Sequence, residues 1–406
     1  MTASFAAGPP GLLRALNARA VLETVATLGP TTRADVAAAT QLSKPTVAAC
    51  LASLVERGAV QEDGAVSGRK GPAATLYRLA PQAVWAIGLD IGHDRLRGAL
   101  VDAAGTERGH VDVPVRRRRA ALTRQVREVC ERLAGTAGIT LGEVHHVVVG
   151  VPGAVGSDGT LAFADALPQD GEGLVAALRA QLPVPVTFDN DVNLAALAEL
   201  AAQPDVEDFV LVSVGAGIGA GLVIGGRVHR GVGGAAGEVG FLPGCASDVR
   251  HSPQMIEHEV GGEVVSRLAR EAGIPGDPGA RAVFELARSG DPVARAAVDA
   301  TARGIAYVVA CLVAVLNPSR VVIGGSVGSN ADLLLDPVRQ HLSAFTTLRV
   351  PVVASSVGVQ AVLHGSLAMA AGLARESAFA AFTGAPIEHA VPQNQPAPQH
   401  LVAQES

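Results

Sequence analysis

Residues 209–230 read FVLVSVGAGIGAGLVIGGRVHR. Phe209 to Val214 reads as a buried strand, Gly215-Ala216-Gly217-Ile218-Gly219 as a glycine turn, and Ala220 to Ile224 as a second strand; Gly225-Gly226 then turns the chain into a third, Arg227 to Arg230. The same grammar stands earlier in the chain. Ala86 to Leu89 is a strand running into Asp90-Ile91-Gly92, Arg95 to Val101 a second, Asp102 to Gly105 a turn, and a third strand ends at Val113. A further pair, Val147-Val148-Val149-Gly150 and Val321-Val322-Ile323-Gly324-Gly325, also runs from strand into glycine. Repetition of this kind predicts a duplicated domain. Glycine turns leave backbone N–H groups open to an anion, because no side chain stands in the way. The domain is expected over 81–378, with lobes at 85–197 and 198–362 and a helix at 363–378 returning to the first lobe; 379–406, rich in Pro, Gln and His from Pro386 onward, reads as a disordered tail.

Ahead of the duplicated part, residues 1–80 have a different pattern. Leu12, Leu13, Leu16, Val21 and Val25 recur at helical spacing until Gly29-Pro30 stops them. Thr32 with Asp35 forms a capping-box-like start to a short Ala-rich helix ending near Thr40. After the tight turn at Gln41-Leu42, Ser43 caps a third helix with an apolar face of Val47, Leu51, Leu54 and Val55, ending at Gly58. Its other face carries Lys44, Thr46, Ala49 and Ser53. Two strands, Ala59 to Glu62 and Thr75 to Leu79, flank a loop holding Arg69 and Lys70 among glycines. This is the pattern of a winged helix-turn-helix, whose second helix enters the major groove of double-stranded DNA. Ser43, Lys44, Thr46 and Ala49 would be the DNA contacts of that helix, its small residues letting the backbone come close to the bases, while Arg69 and Lys70 on the wing would meet phosphates or the minor groove and add salt-dependent affinity. A three-helix bundle that binds a protein is the alternative.

Composition agrees with two such parts. At 406 residues and 49% hydrophobic content the chain fills more than one core. Residues 1–80 hold eight Lys/Arg against five Asp/Glu, and the remainder 24 against 33, so a basic module precedes an acidic body. The start has no basic segment followed by a long apolar run, which predicts a cytoplasmic protein. The longest apolar stretch, Ile305 to Leu316, is short of a bilayer span, so no membrane segment is expected. Cys50, Cys130, Cys245 and Cys311 are scattered, without CxxC spacing, and read as reduced thiols.

The winged module followed by Gly88-Leu89-Asp90-Ile91-Gly92, Gly150-Val151-Pro152-Gly153, Asp189-Asn190-Asp191-Val192-Asn193, Gly215 to Gly221 and Gly237-Glu238-Val239-Gly240 resembles the ROK family of repressors and sugar kinases from about Leu12 to Ala378. The resemblance implies a two-lobed α/β, actin-like and sugar-kinase-like fold of the ribonuclease H type. It also implies Asp191 as the position of a general base, a vestigial and inactive one here, with Asn190, Gly153, Glu238 and Glu257 around a sugar. As a bland alternative, Asp191 caps the helix Val192 to Leu200.

Two departures from that family bear on activity. Its structural zinc uses a histidine after the glutamate motif and three cysteines; here Phe241 stands at the histidine, and Cys245, His251 and His258 do not rebuild a ligand set, so no zinc is expected. Its kinases carry bare glycines and a threonine in the first phosphate loop, where this chain has Gly92-His93-Asp94, and Ala216 stands for a threonine in the second. A carboxylate at Asp94 repels a triphosphate, so ATP binding is expected to be weakened and ATP cleavage lost or badly impaired. The expectation is a homodimeric or higher-order repressor that senses a sugar or sugar derivative. Its rivals are an active ATP-dependent sugar kinase with a DNA-binding domain, and a repressor whose cleft takes no small molecule and answers to a partner protein.

Overall fold

The computed structural model describes residues 10–66, 73–116, 118–156, 160–162, 171–244 and 255–384. The N-terminal module contains α1 (Pro10–Leu28), β1 (Thr31–Thr32), α2 (Arg33–Thr40), α3 (Lys44–Glu56), β2 (Val60–Val66) and β3 (Ala74–Leu79), with sheet order β1-β3-β2. Both expected caps form. Thr32 and Asp35 exchange hydrogen bonds as a capping box, and Ser43 Oγ accepts the backbone N–H of Thr46. The wing strands are longer than the sequence suggests, because a bulge between Glu62 and Ala65 lets β2 continue past its turn signal. Arg69 and Lys70 lie outside the described residues.

Two expectations on burial are corrected. Val55 is exposed rather than part of the α3 core face, and Leu12, Leu13 and Leu16 are 42%, 62% and 44% exposed. Only the later turns of α1, through Val21, Leu22 and Val25, reach the module's core with Val36, Val47, Leu51 and Leu54. Helical spacing marks an apolar stripe, but nothing in the spacing says how far along it a neighbour extends.

The first lobe follows as β4 (Trp85–Ile91), β5 (Arg95–Asp102), β6 (Glu107–Pro114), α4 (Arg119–Thr136), β7 (His146–Val151), β8 (Ala154–Val155), β9 (Leu161–Ala162), α5 (Gly171–Gln181), β10 (Val186–Asn190) and α6 (Asp191–Ala202). The second contains β11 (Phe209–Val214), β12 (Ile218–Ile224), β13 (Arg227–His229), α7 (Gly262–Glu271), α8 (Ala280–Ser289), α9 (Pro292–Leu316), β14 (Arg320–Gly324), α10 (Gly325–Gly328), α11 (Ala331–Phe345) and β15 (Val352–Ala354). Sheet orders are β10-β7-β4-β5-β6 and β13-β12-β11-β14-β15. In each, an antiparallel three-strand meander comes first and two parallel strands are added beside its first strand. The repeated sequence grammar is therefore a repeated topology.

Among the described residues one helix, α9, is long and apolar enough to cross a membrane. Its Ala297, Ile305, Val308, Val309 and Leu312 lie in the buried core of the second lobe, and α9 packs along α11 and α8. That makes it a core helix.

The last described helix, α12 (Ala361–Thr383), runs on past the expected end at 378. It packs across β4, β5 and β7 of the first lobe, crosses α6, and touches α1. Its Leu363, Leu367, Ala370, Ala374 and Phe379 share one continuous buried cluster with Val21, Leu22, Leu51 and Tyr77 of the N-terminal module. Arg19 of α1 is 9% exposed and its Nη2 donates to Glu376 Oε1 at 3.0 Å; Arg57, at the end of α3, donates to the Phe382 carbonyl at 2.7 Å. The N-terminal module is thus braced on the body by a helix from the far end of the chain.

Candidate functional site

The N-terminal face comes first. Ser43, Lys44 and Ala49 are exposed along the start of α3, as a groove-reading surface requires. Thr46 is half-buried, and its hydroxyl is bonded to Ser43 Oγ at 2.8 Å, so the two hydroxyls hold the helix start together. Behind the face, Arg33 Nε donates to the buried Tyr77 hydroxyl at 2.9 Å and its guanidinium lies 5.3 Å from the ring centroid. This ties α2 to β3 and fixes the angle at which α3 is presented.

The cleft is built at the carboxyl ends of the strands. β10 delivers Asn190 and α6 begins at Asp191. Asn190, not Asp191, is the helix cap: its Oδ1 accepts the Asn193 N–H at 3.0 Å while its Nδ2 donates to the Gly153 carbonyl at 3.0 Å. Gly153 adopts φ +117, a conformation that only glycine takes without strain, and this turns its carbonyl toward Asn190. Freed from capping, Asp191 sits partly buried with its Oδ1 accepting the Val192 N–H at 2.8 Å.

Asp191 is pushed up to about 7, first by burial and then by the charge of Asp90, with Glu238 adding to it. Glu238, half-buried, is raised by burial and by Glu257. Four carboxylates from both lobes therefore feel one another. Asp90, at the end of β4, is 5% exposed and its Oδ2 takes Arg97 Nη1 at 3.0 Å, while Arg95 Nε reaches Asp112 at 2.7 Å beside it. Glu257 is exposed and lies against the second glycine turn, where a Cβ on Gly217 would come within 2.5 Å of its Oε1. The arrangement suits a ligand rich in hydroxyl groups, which donate to carboxylates and accept from Asn190.

The first loop presents His93 and Asp94 as exposed side chains, bonded to each other at 2.9 Å. In the second, Gly215 N–H bonds the Gly217 carbonyl and exposed Ala216 forms the tip. Phe241, at the end of a single 3-10 turn that follows Glu238, is 45% exposed and offers no metal ligand. Exposed His258 stands nearby in sequence, whereas Cys245 and His251 lie outside the described residues. Among the described residues no group of three or more His, Cys, Asp or Glu is arranged to hold a metal ion.

Sequence reasoning missed five participants. Asp90 and Asp189 lie inside the glycine and Asp-Asn-Asp motifs but carried no assigned role, while Arg97 and Arg230, which pair with them, carried no local signal. The fifth is buried Glu199 of α6. It collects Ser356 Oγ at 2.8 Å, Val357 N–H at 3.2 Å and Ser355 Oγ, and so anchors the loop after β15.

A winged helix-turn-helix in front of two topologically equal lobes, with carboxylates converging from both, defines a sugar-kinase-like protein equipped to bind DNA. The ROK family model matches residues 86–373, and the chain belongs to that family. The IclR helix-turn-helix model matches residues 14–64. The xylose repressor of Caldicellulosiruptor bescii is 26% identical over 88% of this chain and 96% of its own length. The glucokinase of Halalkalibacterium halodurans is 27% identical over 66% of this chain and 87% of its own length. A ROK family transcriptional regulator described as a homologue of the Escherichia coli MLC protein shares the fold, with TM-score 0.71 at 20% identity, over 91% of this chain and 98% of that one.

Proposed function

We propose that this protein is a cytoplasmic, dimeric DNA-binding repressor of sugar-utilisation genes, whose interlobe cleft holds a sugar or sugar derivative and whose occupancy lowers operator affinity. One observation carries the reading: α3, exposed along Ser43, Lys44 and Ala49, shares a buried core through α12 with the lobe that presents Asn190 and Asp191. The similarity to a xylose repressor along nearly the full length of both chains supports it. Gly153, Asn190, Asp191, Glu238 and Glu257 are the ligand contacts in this reading, and Ser43, Lys44, Thr46, Ala49, Arg69 and Lys70 the DNA contacts. Phe241 in place of a ligand makes it a zinc-free site, and the His93-Asp94 pair makes its first loop a poor seat for ATP.

The test is fluorescence anisotropy on operator DNA with D-xylose, D-glucose and N-acetyl-D-glucosamine. One of these sugars is expected to release the DNA, and Glu238→Ala to abolish that release. Lys44→Ala is expected to weaken operator binding and make its salt slope shallower by about one unit. A slope unchanged in Lys44→Ala removes that residue from the interface, and release that persists in Glu238→Ala removes the glutamate from the sensor. No response to any sugar would favour a partner protein as the signal.

The kinase reading has one observation of its own, since a carboxyl raised to about 7 is suited to take a proton from a sugar hydroxyl near neutral pH. ADP release that is sugar-dependent, approaches about one turnover per second and vanishes in Asp191→Ala would establish it.

A further inference from the structure

An ion pair outside the proposed contacts clasps the two lobes. Asp189, one residue before the end of β10, is 4% exposed. Arg230 immediately follows β13 in the other lobe's sheet, and its guanidinium meets that carboxylate as a fork: Nε lies 3.2 Å from Oδ1 and 3.1 Å from Oδ2, and Nη2 2.5 Å from Oδ2. The same Oδ1 accepts the Asn190 backbone N–H at 2.9 Å. From Asn190 the bonds continue to the Gly153 carbonyl and to the first turn of α6, where Asp191 sits.

Arg230 therefore acts at a distance of one residue on the corner assigned to the ligand. We propose that Arg230 is a positioning residue of the sugar site: reaching from the second lobe, it fixes Asp189, and through it the orientation of Asn190 and Asp191, so that the corner is set only while the lobes are clasped. The planar guanidinium suits this role because it bonds both carboxylate oxygens at once and sets an angle, which a lysine ammonium does not. The buried Asp189 carboxylate in turn needs that charge, for a buried ion without its partner is unstable. The proposal rests on the reading of Asn190 and Asp191 as ligand contacts.

The experiment is amide hydrogen exchange on the full-length protein without ligand, comparing peptides over α6 with peptides over α3 and α9, for wild type, Arg230→Ala, Arg230→Lys and the double variant Asp189→Asn with Arg230→Gln. Arg230→Ala is expected to speed exchange in the first turn of α6 at least tenfold while the α3 and α9 peptides hold their rates. Lysine, which keeps the charge and loses the fork, falls between, and the neutral amide pair, which leaves no bare buried charge, recovers most of the protection. Unchanged α6 exchange in Arg230→Ala overturns the proposal, and so does equal acceleration in all three helices, which marks a general brace. In a second arm D-xylose and D-glucose are titrated by calorimetry. If either binds wild type, Arg230→Ala should bind it at least tenfold more weakly, and equal affinity overturns the proposal. If neither binds wild type, the sugar reading of the corner loses its support, and the ligand-free exchange still decides whether Arg230 sets it.

Discussion

Burial and the charge of Asp90 raise the Asp191 carboxyl to about 7 from an ordinary 3.8. A folded value above the unfolded one means that the native state holds more protons across that window, so Asp191 costs stability as pH rises through it. The expected outcome is that the melting temperature of the wild type falls relative to Asp191→Asn between about pH 4 and about pH 7 and levels off above, because the amide has no charge to desolvate. Parallel calorimetric profiles would contradict the burial argument. The same protonation governs the cleft, where the ionised carboxylate is the better acceptor for a sugar hydroxyl. Affinity for an effector sugar should rise between about pH 6 and about pH 8, where the native carboxyl ionises, in wild type and stay flat in Asp191→Asn, as isothermal titration reads it.

The start of α6 owes its placement to its crossing with α12. A Cβ at Gly365 would stand 1.8 Å from the Leu194 carbonyl oxygen, whereas one at Gly372 on the same helix would meet nothing within 4 Å. Gly365→Ala is expected to destabilise by about 1–3 kcal/mol or more through overpacking. Gly372→Ala should stabilise by up to about 1 kcal/mol through helix propensity. Urea denaturation of the pair checks both, and equal effects would show that the crossing tolerates separation. The caps at Thr32 and Ser43 were legible in the sequence because the groups that satisfy them lie within three residues. So was the duplicated topology, since each lobe repeats its strands and glycines in order. The exposure of Leu12, Leu13 and Leu16 was not legible, because it depends on where α12 ends its contact with α1. Asp191 as a cap was a local guess that failed for a tertiary reason: the Gly153 carbonyl orients Asn190 into that role. Arg230 was invisible because its partner is 41 residues away in the other lobe.

From cleft to operator face the contacts are continuous. α6 begins at the corner proposed to hold the ligand, α12 crosses α6, and α12 reaches α1 through Glu376 and the end of α3 through the Phe382 carbonyl. A ligand that shifts α6 would therefore push on α1 and α3 of the reading module. Coupling between such sites is typically about 1–3 kcal/mol, or roughly 5–150-fold in affinity. Glu376→Ala, which unties Arg19, is expected to shrink the sugar-induced fall in operator affinity severalfold while the affinity for the sugar itself holds. Anisotropy with and without sugar, beside calorimetry of the sugar alone, measures the two quantities separately; full coupling in the variant would rule this ion pair out of the route. The brace also has a consequence in time. Ala361 leaves the ribosome long after Leu28, later by roughly fifteen seconds to over a minute at about 5–20 residues per second. Throughout that interval the nascent reading module lacks the helix that completes its core, and the first lobe lacks the cover of its sheet. A message cut short before Ala361 accordingly strips the covering helix from the reading module and from the first lobe's sheet in one event.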